Sequence, residues 1–73
     1  SSGVAAVKSP LPGVINDILV KVGDDVKVGQ TILILEAMKM ENNINATKAG
    51  KVTEIKINKG DSVLEGTDLI VIE

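Results

Sequence analysis

Sliding the chain against itself by 37 positions lays residues 13–36 on residues 50–73 without a gap. Gly13 falls on Gly50, Gly23-Asp24 on Gly60-Asp61, Val26 on Val63, Gly29 on Gly66 and Glu36 on Glu73. Every glycine except Gly3 has a partner. Apolar positions agree as well: Ile15 with Val52, Ile18 with Ile55, Val20 with Ile57, and the run Ile32-Leu33-Ile34-Leu35 with Leu69-Ile70-Val71-Ile72. The register extends backward to set Val7 on Ile44. Such a repeat implies two copies of one unit, each too small to close a core alone, that must bury their apolar faces against one another.

Each half has the pattern of short strands. Ile18, Val20 and Val22 alternate with polar or exposed positions, as do Ile55 and Ile57, which is the period of a half-buried strand. The repeated Gly-Asp-x-Val-x-x-Gly predicts a turn, an inward valine and a second turn. The four-residue apolar runs before Glu36 and Glu73 predict strands covered on both faces. No segment carries ten or more residues of helical periodicity. The expected fold is all-β: a flattened barrel or sandwich of two four-stranded antiparallel sheets with quasi-two-fold symmetry, its halves packed face to face. Residues 4–73 make up the domain, and Ser1-Ser2-Gly3 is the end of a linker or a cloning remnant.

Composition narrows the function classes. At 73 residues, with no cysteine to staple it and no histidine or cysteine to hold a metal, the chain depends on aliphatic packing. Valine and isoleucine supply most of it and favour strands, because β-branched side chains pack well on a pleated surface. Eight lysines against ten acids give a net charge of −2, interspersed along the chain rather than clustered. With neither aromatics nor arginine, base stacking and bidentate guanine contacts are missing, which argues against a nucleic-acid surface. No apolar stretch approaches the roughly 20 residues of a membrane-spanning helix, and no signal peptide is visible, so a soluble cytoplasmic location is expected. The strand ending at Glu73 points to a domain that closes its polypeptide. Serines 1, 2, 9 and 62 have no histidine or cysteine to pair with, which points away from an enzyme.

One lysine stands in unusual company. Both methionines of the chain bracket it, in Glu36-Ala37-Met38-Lys39-Met40-Glu41. If the first half ends its last strand near Glu36, the next strand begins near Glu41 or Asn42, because Val4 maps onto Glu41. Residues 37–40 then link the halves, and the quasi-dyad exchanges this link with the meeting point of the chain ends. Lys39 is expected at a hairpin tip opposite both termini. A different reading puts the turn at Asn42-Asn43, since Asn tolerates left-handed backbone angles. Lys39 would then lie within a strand as an ordinary surface charge, with Met38 and Met40 on the opposite face. A helix over residues 36–42 is too short to stand without tertiary support. Residues 37–40 contain no Gly, Pro, Asn or Asp, so as a turn they are atypical. Flexible, polarizable methionines around a lone amine suit docking by several partners.

The hexapeptide resembles the attachment motif of biotinyl domains, the biotin carboxyl carrier modules of biotin-dependent carboxylases, decarboxylases and transcarboxylases. The resemblance runs from about Val4 to Glu73 and takes in Ser9-Pro10-Leu11-Pro12-Gly13, Gly23-Asp24-x-Val26, Gly29-Gln30 and the glycines at 50, 60 and 66. It implies that Lys39 is biotinylated by a biotin protein ligase. Met38 and Met40 would be the recognition flanks, with Glu36 and Ala37 completing the motif. The partners implied are the ligase, then biotin carboxylase and carboxyltransferase or decarboxylase components. Some bacterial acetyl-CoA carboxylase carriers have a protruding thumb in the first half. The gap-free repeat leaves no room for one, which points toward the thumbless carriers of propionyl-CoA, pyruvate or decarboxylase systems.

The chemistry implied needs outside help. A free lysine amine is almost wholly protonated at neutral pH and therefore non-nucleophilic. The ligase must deprotonate and position it, and the resulting amide lowers the net charge from −2 to −3. The cofactor then carries the carboxyl group between active sites while the domain supplies position and tether. Two rivals remain: a lipoyl carrier domain, whose lysine typically follows Asp and precedes Ala, and an unmodified structural or adaptor β-domain.

Overall fold

A computed structural model describes residues 3–73. Ser1 and Ser2, which carry most of the linker or remnant reading, lie outside the described residues. Gly3 is held at its carbonyl by a hydrogen bond from Lys48 Nζ. Among the described residues every regular element is a strand, and there are eight. β1 (Ala5–Lys8), β2 (Gly13–Ile18), β3 (Asp25–Val26) and β4 (Thr31–Ala37) come from the first half. β5 (Met40–Asn45), β6 (Gly50–Ile55), β7 (Ser62–Val63) and β8 (Asp68–Ile72) come from the second.

They form two four-stranded antiparallel sheets, ordered β1-β8-β6-β3 and β5-β4-β2-β7. Advancing the first order by the 37-residue repeat turns it into the second, so the quasi-dyad exchanges the sheets. The halves do not stack as two separate sheets, however. Each sheet draws two strands from each half: β1 and β5 pair with the last strand of the other half, and the Gly-Asp turns carry β3 and β7 across as well. The crossings are held alike: Gly23 N–H donates to the Val52 carbonyl at 2.8 Å, and Gly60 N–H to the Ile15 carbonyl at 2.8 Å. Gly23 and Gly60 have φ of 100° and 94°, left-handed angles that glycine adopts without steric cost.

The four-residue apolar runs are not covered on both faces. Ile32 and Leu33 both point inward, Ile34 is half-buried on the outer face, and Leu35 is inward again. The cause is a bulge: Thr31 faces Asn45 but Leu33 faces Ile44, so Ile32 is the extra residue. Leu69 repeats the feature in β8, where Val7 faces Ile70 and Lys8 faces Asp68. Between the sheets lies one aliphatic core that includes Ile15, Leu35, Val52, Leu69 and Ile72. Each such side chain contributes about 1.5–3 kcal/mol by burial.

The interior also explains where the tip sits. β4 runs from Thr31, beside Asn45, to the β4–β5 turn. Only four residues separate Asn45 from Gly50, and Gly50 is so close to the Glu73 carbonyl that a Cβ there would lie 2.5 Å from its oxygen. The C-terminal strand end and Gly3 therefore share the end of the domain remote from the turn.

Candidate functional site

The β4–β5 hairpin closes in two residues, Met38 and Lys39, between the facing pair Ala37 and Met40. Asn42 and Asn43 lie inside β5, opposite Leu35 and Ile34, which overturns the reading with a turn at those asparagines. The expected link over residues 37–40 is shorter than the repeat implied, since β4 extends to Ala37 and β5 begins at Met40. Met38 and Lys39 have φ of 54° and 64°, and no other non-glycine among the described residues has a positive φ. Positive φ at both central positions is the pattern of a type I′ turn, which follows the right-handed twist of the flanking strands. Such turns usually recruit Asn and Gly, because an L-residue held left-handed costs roughly 1–2 kcal/mol.

Rigid surroundings hold this turn. Ala37 is buried, with its Cβ 3.2 Å from where a Gly13 Cβ would lie. The same Gly13 Cβ would stand 2.4 Å from the Glu36 carbonyl oxygen, so β2 approaches the base of the hairpin as closely as backbone allows. Ala37 is thus a packing floor beneath the turn. Glu36 and Glu41 are exposed and face each other across the hairpin. Met38 is 85% exposed and Met40 68%. Lys39 is exposed too, and among the described residues its amine makes no hydrogen bond or ion pair.

The structure brings Glu36, Ala37, Met38, Lys39 and Met40 together at one end of the molecule, and adds two neighbours that the sequence did not single out. Asn16 Nδ2 donates to Glu41 Oε2 at 2.7 Å. Asn16 is the extra residue of a bulge in β2, where Ile15 faces Leu35 and Asp17 faces Ile34. Val14, beside Glu36 on the same sheet, is an exposed apolar residue. The repeat held a signal for it: its counterpart is Lys51, so this position does not need an apolar side chain.

A small β-domain with an exposed, unpaired lysine amine on a backbone-constrained two-residue turn has the geometry that an attachment module needs. The comparisons with known proteins agree with that class. A family model described as "Biotin-requiring enzyme", for biotin and lipoyl attachment, matches residues 5–72. The chain is 46% identical over 72 residues to the biotin carboxyl carrier protein of Streptococcus mutans, covering 99% of this chain and 55% of that protein. It is 44% identical over 69 residues to the mitochondrial propionyl-CoA carboxylase alpha chain of Homo sapiens, covering 94% of this chain and 10% of that one. The crystal structure of the Kluyveromyces lactis urea carboxylase superposes with a TM-score of 0.91 at 37% identity, over 96% of this chain and 6% of that one. The chain therefore spans about half, or far less, of the length of these relatives. It belongs to the biotin/lipoyl attachment family, as a biotinyl domain.

Proposed function

We propose that residues 4–73 form a biotin carboxyl carrier domain. Lys39 is acylated by a biotin protein ligase and shuttles a carboxyl group between a biotin carboxylase and a carboxyltransferase or decarboxylase active site. The observation that supports this most is the position of Lys39 on a two-residue turn, flanked by exposed Met38 and Met40. Methionine on both sides, rather than Asp before and Ala after, favours biotin over lipoate. The relatives named as carboxylases and carriers support the same class of partner.

The residues present fit the group. The amine at Lys39 is unpaired among the described residues and its residue is exposed, as a covalent tether requires. When bound, biotin supplies a ureido nitrogen that accepts and releases the carboxyl group. The chain's own contribution is positional. The left-handed backbone at Lys39 and the packed floor at Ala37 fix the direction in which the lysine side chain leaves the backbone. Met38 and Met40 supply deformable apolar contact to each enzyme in turn. Glu36 and Glu41 mark the base of the turn with negative charge. The domain itself is a carrier without catalysis of its own, and a flexible linker of short length would raise its effective concentration at the second active site to roughly millimolar.

Intact mass after incubation with biotin protein ligase, ATP and biotin tests the reading, with Lys39→Arg alongside. One biotinyl group should add to the wild type and none to the variant, which should fold normally. Labelling of Lys39→Arg would sink the site assignment. No labelling of the folded wild type would turn the test to a lipoyl ligase.

A further inference from the structure

The chain has no cysteine, tryptophan, tyrosine or histidine, and two methionines. Every side chain that a peroxide readily oxidises therefore lies beside Lys39. Neither methionine is sheltered: Met38 is 85% exposed and Met40 68%. Neither belongs to the aliphatic core, which is built from Val, Ile, Leu and Ala. Chemistry at these two sulfurs can therefore change the tip while leaving the fold in place.

We propose that Met38 and Met40 are an oxidative modification site, at which a hydroperoxide such as hydrogen peroxide converts the carrier into a form that docks poorly. This rests on the carrier reading above. The thioether sulfur attacks the distal peroxide oxygen; the O–O bond breaks as the S–O bond forms. Sulfur loses two electrons, and the peroxide is reduced to water, the departing hydroxide taking the proton of the transferred oxygen. A soft apolar side chain becomes a polar, chiral sulfoxide. Enclosed against an apolar partner surface, that oxygen would lack hydrogen-bond partners, which penalises docking. A dithiol reductant reverses the step, returning the thioether and forming a disulfide and water. One reductase, MsrA or MsrB, serves each sulfoxide epimer.

The test begins with the unmodified domain, oxidised by hydrogen peroxide and checked by intact mass. Peroxide is removed before biotin is added, because biotin has an oxidisable thioether of its own. Ligase-catalysed loading is then timed, followed by carboxylation of the loaded domain by a biotin carboxylase. The expected result is uptake of two oxygen atoms, an unchanged melting temperature, and a fall of about tenfold or more in at least one of the two rates. MsrA with MsrB should restore it. A Met38→Leu/Met40→Leu variant should take up no oxygen, and its own rates should be the same before and after peroxide. Equal rates for oxidised and untreated wild type in both assays would overturn the proposal. So would an equal loss in the double variant, since the damage would then lie elsewhere. If the untreated domain takes no biotin, the carrier reading has failed and this inference falls with it; normal loading before oxidation separates the two failures.

Discussion

Glu36 and Glu41 stand directly opposite each other across the β4–β5 hairpin, two like charges astride the turn that carries Lys39. Asn16 holds Glu41 through its side-chain amide at 2.7 Å. Like charges facing across antiparallel strands destabilise by roughly 0.2–1 kcal/mol. Glu41→Gln should therefore raise stability by about that amount, read as a higher urea midpoint with unchanged slope. The gain should shrink as salt is added, since both groups are exposed. A lower midpoint would show that the charge assistance Glu41 gives to the bond from Asn16, lost when the acceptor becomes a neutral amide, outweighs the repulsion.

Met38 and Lys39 hold left-handed angles that the fold does not obtain cheaply. Met38→Asn keeps the turn and the lysine while substituting a residue that tolerates positive φ. It should stabilise the domain by about 0.5–1 kcal/mol, a part of the left-handed cost. No gain in a thermal melt would mean that the turn is relaxed in solution. A gain in stability with slower modification would show that the strained methionine is kept for its side chain.

The repeated glycines separate two physical demands. Adding a Cβ at Gly13 would bring it 2.4 Å from the Glu36 carbonyl oxygen, whereas at Gly60 nothing lies within 4 Å. Gly60→Ala should therefore cost only the backbone term, about 1–2 kcal/mol. Its repeat partner Gly23→Ala should cost the same, because φ is 100° there and 94° at Gly60. Gly13→Ala must push β2 off the hairpin and should cost more than either. Chemical denaturation of the three variants checks the order, and equal losses would remove the close approach from the account.

Lys8 and Asp68 pair across the β1–β8 edge at 2.5 Å. The hydrogen bond from Lys8 holds the Asp68 carboxyl below its ordinary value, helped by the charges of Lys8 and Lys56. A carboxyl lowered in the folded state adds stability above its unfolded pKa and loses it as pH falls through the folded one. Lys8→Gln should therefore lose a little stability at neutral pH and lose less than wild type on acidification. Parallel acid-denaturation curves for the two proteins would show that this exposed pair contributes nothing.

How much of this was legible in the sequence follows from what each signal encodes. Matched glycines such as Gly23 and Gly60 record backbone angles, and angles repeat wherever the unit repeats, so the turns could be placed. The strands expected to run on through Val20, Val22 and Ile57 instead end at Ile18 and Ile55, and Val22 is exposed in the turn. The bulges at Asn16 and Ile32 left no such trace. A run like Ile32-Leu33-Ile34-Leu35 looks the same whether two faces are covered or one extra residue turns inward. The exchange of strands between sheets was hidden for a related reason: the two-residue β3 and β7 carry no readable period, and the pattern of β1 and β5 does not say which strand each pairs with. At the site, the dyad argument located the tip, but the turn chemistry could not confirm it. Met38-Lys39 is a poor type I′ sequence, and it is the close packing of Gly13 on Glu36 and Ala37 that explains why the backbone accepts it.

The quasi-dyad supplies the last prediction. Val14 is exposed beside Glu36, and its counterpart Lys51 occupies the same place in the other sheet, next to the Glu73 backbone. The fold thus already tolerates lysine at this position. Val14→Lys should set a cation next to Glu36 on the neighbouring strand, where an opposite-charge pair contributes roughly 0.2–1 kcal/mol. It would also offset the repulsion between Glu36 and Glu41. The expected outcome is a domain as stable as wild type or slightly more so, with the benefit screened by salt. Ile15→Lys, one residue along and 1% exposed, should instead abolish folding, because it buries an unpaired charge in an aliphatic core. Urea denaturation of both variants, at low and high salt, decides the matter. A clear loss at Val14→Lys would mean that the two halves are less interchangeable than their backbones, and that the valine contributes to the packing of the tip.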